Sequence, residues 1–155
     1  TKIKIYLNYF LRKNKKIIDK LINHFFNKKM QKKIFKEFYL TRSQIKEIYK
    51  SGMIIGAHSY SHKMLSYLNY NEQKLEIQKN ISHLSKLLKE KITFFATPYG
   101  GKFSFNKNTI KILKKQKIKY IFDVNNKSFN NNILIKKLIS RFNCNKFQYG
   151  QIYNY

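Results

Sequence analysis

Strand-like and helix-like segments alternate along this sequence, and the alternation predicts an α/β protein built on a parallel sheet. Three short apolar runs carry the strand signal: Met53–Ala57, Ile92–Ala96 and Ile118–Val124. The segments between them repeat apolar residues at helical spacing. Hydrophobic residues make up 43% of the chain, with 13 Phe and 12 Tyr, so its 155 residues suffice for one packed domain despite the abundant Lys and Asn.

The elements follow in order. From Asn14 to Phe38 the chain is Lys-rich, and Ile17, Leu21 and Phe25, then Ile34 and Phe38, predict one or two amphipathic helices. Thr41-Arg-Ser-Gln44 has capping-box form and opens a helix to about Lys50, which Gly52 ends as its C′ residue. Met53–Ala57 is then expected as a short buried strand. Asn71 is the predicted cap of a helix whose stripe is Ile77, Ile81, Leu84 and Leu88. The strand at 92–96 leads into Thr97-Pro98-Tyr99-Gly100-Gly101. Asn108 is the predicted cap of a helix to about Lys115, with Ile112 and Leu113 inward. After the strand at 118–124 comes a loop at 128–132, and 133–142 fits strand or helix equally. No linker, internal repeat or second-domain boundary interrupts this order.

The net charge of +26 raises the question of nucleic acid. The lysines, however, are spread over the whole chain, and Lys, Asn, Ile, Tyr and Phe are enriched together. That pattern fits a compositional drift better than a selected binding face, so no specific nucleic-acid partner is expected. Cys144 is alone, which excludes an internal disulfide and a Cys-rich zinc site. No apolar stretch reaches the roughly 20 residues of a membrane span. The chain starts at Thr1 with Thr-Lys-Ile-Lys-Ile, which lacks the apolar core and cleavage site of a signal peptide and is expected to be the interior of a longer polypeptide.

Chemistry concentrates at the strand ends, where parallel sheets carry their sites. His58 follows the first strand-like run and His62 comes four residues later; Pro98-Tyr99-Gly100 follows the second. Two histidines four apart can face one metal ion. Taken alone, His-x-x-x-His more often marks ordinary polar loop residues, and Pro-Tyr-Gly marks a simple turn. His83, on the polar side of its helix, and His24, in the basic helix, are assigned no role.

The wider pattern resembles the NodB-type polysaccharide deacetylases, the metal-dependent sugar N-deacetylases. The matching pieces are Gly52-Met-x-Ile-Gly56, the His58-Ser59-x-x-His62 motif, Leu65 and Leu68, Glu76-Ile77, and Phe95-Ala-x-Pro-Tyr-Gly100. The likeness is good from Tyr39 to Asp123 and looser elsewhere. It implies an irregular (β/α) barrel, incomplete at its N-terminus, with residues 1–155 as a single domain: a Lys-rich helical segment at 1–40 and a core at 41–155. It further implies that His58 and His62 join one Asp around a divalent metal, most often zinc. The metal activates a water for attack on the acetamide carbonyl of an N-acetylated carbohydrate, with the Tyr99 N–H as oxyanion donor. Pro98 and Gly100 would line the substrate, and Ser59 would fix the histidine loop by hydrogen bonding.

Three departures accompany the resemblance. The family's opening Asp-Asp strand, source of the general base and the third ligand, has no counterpart here, because Asp19 lies in a basic helical context. Ala96 stands where many members carry an Arg. No His follows His83 to serve as general acid, leaving Asp123 and Arg141 as the charged residues to consider. A fragment lacking the first barrel strand is the expected explanation. Two other classes fit the same residues: an inactive sugar-binding relic of the fold, and a basic nucleic-acid module using the helices at 14–38, whose affinity would fall steeply with salt.

Overall fold

The computed structural model describes residues 15–101, 103–124 and 138–141, the first four of these by backbone alone. The loop expected at 128–132, the flanks of 138–141, Cys144 and the opening residues 1–14 lie outside the described residues. The chain divides into two compact units, one ending at Ile54 and the other starting at Ile55.

The first unit is helical: α1 (Lys15–Phe25), α2 (Lys28–Phe38) and α3 (Arg42–Lys50). The Lys-rich stretch thus forms two helices, separated because Asn27 caps α2 by accepting from the Met30 N–H at 2.9 Å. Thr41 and Gln44 make the expected reciprocal capping box on α3, and Gly52 follows its end at a φ of +90°, a conformation that Gly adopts without strain. The apolar residues of these helices are largely left in solvent, with Ile34 half-buried. Leu21, Phe25 and Phe38 are exposed, and α2 and α3 bury no residue.

The second unit holds the sheet. Helix α4 (Tyr70–Leu88) follows a 3-10 turn at Leu65–Tyr67, and then come β1 (Phe94–Ala96), α5 (Lys107–Lys115), β2 (Tyr120–Asp123) and β3 (Leu138–Ser140). The strands lie in the order β1-β2-β3, all parallel, with Phe95 opposite Ile121 and Phe122 opposite Ile139. The ambiguous 133–142 segment therefore contains a strand. Met53–Ala57 is not the buried strand expected: Met53 and Ile54 are 62% and 69% exposed, and only Ala57 pairs, as a single parallel bridge to Phe95. The described strands form an open three-stranded sheet with this bridge at its β1 edge.

Both helices of this unit start two residues earlier than the sequence suggested. Asn69, not Asn71, caps α4, because only Asn69 has a Glu three residues on to complete the box: Glu72 N–H donates to Asn69 Oδ1 at 2.9 Å and Asn69 N–H to Glu72 Oε2 at 3.0 Å. Asn106, not Asn108, caps α5 in the same way with Thr109. The core is as read. Ile77 and Ile81 of α4, Ile112 and Leu113 of α5, Phe95 of β1 and Ile121 of β2 are buried in one cluster, with Leu84 and Leu88 at its margin.

A buried polar link fastens α4 to α5 through this core. Gln73 is fully buried; its Nε2 donates to Leu68 O at 2.9 Å, and its Oε1 accepts from Thr109 Oγ1 at 2.6 Å. Thr109→Val should leave that oxygen buried without a donor and cost about 1–3 kcal/mol in urea unfolding. The Gln73→Met, Thr109→Val pair removes the orphaned oxygen but also the donor to Leu68 O and the acceptor of the Asn106 N–H, so it should stay less stable than the parent in the same measurement.

Candidate active site

Two backbone hydrogen bonds bring the histidine segment to the sheet. Ala57 N–H donates to Phe94 O and Ala96 N–H donates to Ala57 O, both at 2.8 Å. His58 is thereby carried to the carboxyl end of β1. Its own N–H donates to Asn80 Oδ1 of α4 at 2.9 Å, and its Nδ1 lies 2.8 Å from Ala96 O. A carbonyl only accepts, so Nδ1 carries the proton and the Nε2 lone pair is left for another partner. Burial pushes the His58 pKa down and the positive charge of Arg141 adds to it, against the opposing bond to Ala96. A neutral imidazole presenting Nε2 is what a metal ligand requires. Because the Ala96 contact is main-chain, the Ala standing in place of the family's Arg does not disturb it.

Helix α4 clamps the rest of the loop. Glu76, 9% exposed, accepts from the Ser61 N–H at 2.8 Å and from Ser61 Oγ at 2.6 Å, while its backbone carbonyl accepts from Tyr60 N–H at 3.1 Å. Lys63 lies 3.3 Å from the same carboxylate, and Lys79 sits 4.0 Å above the Tyr60 ring. Burial alone would raise the Glu76 carboxyl, but the two Ser61 bonds and the Lys63 ammonium outweigh it and hold it below its usual range. Ser59 does not play the expected anchoring part. Its hydroxyl is buried without a hydrogen-bond partner, and Ser61, two residues on, makes the bonds to α4 instead. Glu76 entered the sequence reading only as a piece of a motif and Asn80 not at all. Their i, i+4 spacing beside the buried Ile77 and Ile81 was the available signal.

The second loop is the turn after β1. Thr97 N–H donates to Phe122 O at 2.9 Å, and Asp123 Oδ1 accepts from the Gly101 N–H and lies 3.4 Å from Thr97 Oγ1. Asp123, 2% exposed, therefore braces this turn. Pro98 is buried, and Tyr99 and Gly100 both have a φ of +65°. Gly100 is required on two counts, since a Cβ there would lie 2.5 Å from the Val124 side chain. The two loops meet: the His58 and His62 rings are 4.9 Å apart between centroids, and the His62 and Tyr99 rings 4.8 Å. Across the strand ends, Arg141 Nη2 donates to Thr97 O at 2.9 Å. His24 and His83 enter no such cluster.

His58 and His62 bring two imidazoles together, the donor type a divalent ion such as zinc takes. No third His, Cys, Asp or Glu completes a metal-binding group among the described residues, which include all seven Asp and Glu of the chain.

The described residues thus form a parallel α/β sheet with a two-histidine loop and a Pro-Tyr-Gly turn at its carboxyl ends. The chain belongs to the polysaccharide deacetylase family, whose sequence profile matches residues 12–136. Among solved structures it is similar to the Streptococcus pyogenes deacetylase PplD in complex with acetate, at 26% identity, covering 66% of this chain and 43% of that one with a TM-score of 0.57. The BpsB deacetylase domain from Bordetella bronchiseptica shares the fold at 15% identity, 67% and 48% coverage and a TM-score of 0.56. So does a de-N-acetylase from Aggregatibacter actinomycetemcomitans, at 16%, 66% and 47%, and 0.51. The chain spans less than half the length of each of these proteins. No protein of curated function matches it. No helix among the described residues is long and apolar enough to cross a membrane.

Two outcomes check this geometry. Ser59→Ala should be neutral or raise the melting temperature, because it removes a buried hydroxyl that bonds to nothing; a loss beyond about 1 kcal/mol would mean the hydroxyl has a partner. Glu76→Gln should lower stability at neutral pH and flatten its acid limb. A carboxyl held below 4.5 contributes stability above that pH and loses it as pH falls through its folded value, so the parent-minus-variant difference should shrink on acidification.

Proposed function

We propose that this protein takes part in metal-dependent hydrolytic removal of N-acetyl groups from an amino-sugar-containing carbohydrate, a polysaccharide or glycan precursor. In this reading the described sheet is part of an irregular (β/α) barrel, and His58 and His62 are the ligands of a divalent ion, zinc being the best match to neutral imidazoles. When bound, such an ion supplies Lewis-acid polarisation and lowers the pKa of water. The chain's own residues prepare the site. Ala96 O sets the His58 tautomer, Glu76 and Asn80 hold the loop, and the Tyr99 N–H donates to the carbonyl oxygen as it gains negative charge. Pro98 and Gly100 form the wall against which the sugar lies.

The observation that carries this reading is the run of contacts from His58 through His62 to Tyr99, at 4.9 and 4.8 Å, within a chain of this family. Zinc titrated calorimetrically into residues 1–155 should bind weakly, two imidazoles being an incomplete set, and His58→Ala with His62→Ala should abolish the signal. N-acetylglucosamine oligomers should shift the backbone amide resonances of Tyr99 and Gly100 in the zinc-loaded protein. Equal zinc binding by the double variant, or no oligomer response, would sink the proposal. Acetate release by residues 1–155 alone should stay at background, since a missing general base forfeits about 10²–10⁴-fold.

A further inference from the structure

Helix α2 sorts its residues into an apolar side and a basic side. Met30, Ile34 and Phe38 recur every four residues, with Phe35 beside them. Lys28, Lys32 and Lys36 recur at the same interval on the opposite side, and Lys29 and Lys33 widen that side. In a helix of a packed domain the apolar side is buried. Here it stands in solvent: Met30 and Phe35 are exposed, Phe38 is 78% exposed, and Tyr39 and Leu40 continue the exposed surface past the helix end. The Phe35 and Tyr39 rings stack at 4.8 Å between centroids, which keeps the aromatic surface together. The helix is also well anchored. Asn27 caps its start, and Gln31 Nε2 donates to Asn23 Oδ1 at 3.0 Å and to Phe26 O at 2.6 Å, tying it to the end of α1.

Charge decides what such a surface fits. The helix carries five lysines against one acid, Glu37, which lies 3.9 Å from Lys33. A second copy of this chain would bring the same sign, since the whole carries +26. A nucleic acid would engage the lysines and leave the Phe, Ile and Met side chains in water. An anionic bilayer meets both sides at once. Lysine stems reach the phosphates at headgroup level while the apolar side enters the acyl boundary. The helix would lie on such a surface, because no helix among the described residues is long and apolar enough to cross one.

We infer that α2 is an interfacial helix: it lies in the plane of an anionic phospholipid surface, with Met30, Ile34, Phe35 and Phe38 against the acyl chains and its lysines against the lipid phosphates. The inference does not depend on the histidine site or on the proposed reaction.

The test is cosedimentation of residues 1–155 with vesicles of equal parts phosphatidylcholine and phosphatidylglycerol, against vesicles of phosphatidylcholine alone. The chain should pellet with the mixed vesicles, stay in solution with the neutral ones, and come off the mixed vesicles as salt rises. Phe35→Ser with Phe38→Ser removes two exposed rings and keeps every lysine. With its helix content checked by circular dichroism, this variant should bind at least about tenfold more weakly. The sequence has no Trp, so Phe38→Trp installs a single reporter. Its emission should shift to the blue on the mixed vesicles and be quenched by brominated acyl chains, whereas a Lys32→Trp reporter on the opposite side should do neither. Failure to pellet with the mixed vesicles, equal pelleting with the neutral ones, or an unshifted reporter at position 38 overturns the inference. Undiminished binding by the double serine variant overturns it too, because charge alone, as for a nucleic acid, would then account for the binding. A concentration-dependent dimer that this variant dissolves, without vesicle binding, would put a second copy on the surface instead. Zinc titration of the same samples reports separately on His58 and His62.

Discussion

The paired hydrogen bonds between Ala57 and the edge of β1 are the constraint on which the site depends. They are a single bridge rather than a strand, yet they decide where both loops go. With Ala57 docked, the following residue must leave the sheet at its carboxyl end, and Ala96 O is then in reach of the His58 ring. The same carbonyl-bearing residue leads directly into the Thr97–Gly101 turn. One pair of main-chain bonds therefore sets the histidine tautomer and the spacing between the two loops. Helix α4 completes the arrangement from the other side, with Glu76 and Asn80 holding backbone N–H groups that a loop would otherwise leave to water.

Strain is concentrated where those loops meet. Ser59, His62 and Tyr99 all have positive φ, a conformation that costs a non-glycine residue roughly 1–2 kcal/mol. Such conformations persist only where the surroundings over-determine them. Here the surroundings are explicit: the Ser61–Glu76 bonds hold the first loop, and Asp123 holds the second through the Gly101 N–H. Glu76 and Asp123 are thus committed to shaping the backbone around the histidines.

That commitment matters in a chain with so few acids. With a net charge of +26, each carboxylate is electrostatically welcome almost anywhere, and the chain places two of the best-buried ones, Glu76 and Asp123, against the site loops. Arg141 illustrates the converse. Its charge adds to the burial of His58 in pushing that imidazole's pKa down, while its own Nε makes no hydrogen bond.

By itself the sequence determined the class of the fold, the core stripe of Ile77, Ile81, Ile112 and Leu113, the capping box at Thr41 and Gln44, and the histidine and Pro-Tyr-Gly motifs with their family. These are local signals: periodicity, a cap and its partner three residues on, a motif at fixed spacing. At the two helix starts the sequence named Asn71 and Asn108, and the structure chose Asn69 and Asn106, whose side chains complete capping boxes with Glu72 and Thr109. Tertiary structure alone decided that Met53 and Ile54 are exposed while Ala57 pairs, because apolarity does not say which residue meets the sheet edge. It also decided that Ser59 is an orphan and Ser61 the anchor. The two hydroxyls are two residues apart in a loop without period, and only the position of Glu76 on a helix fifteen residues further along distinguishes them.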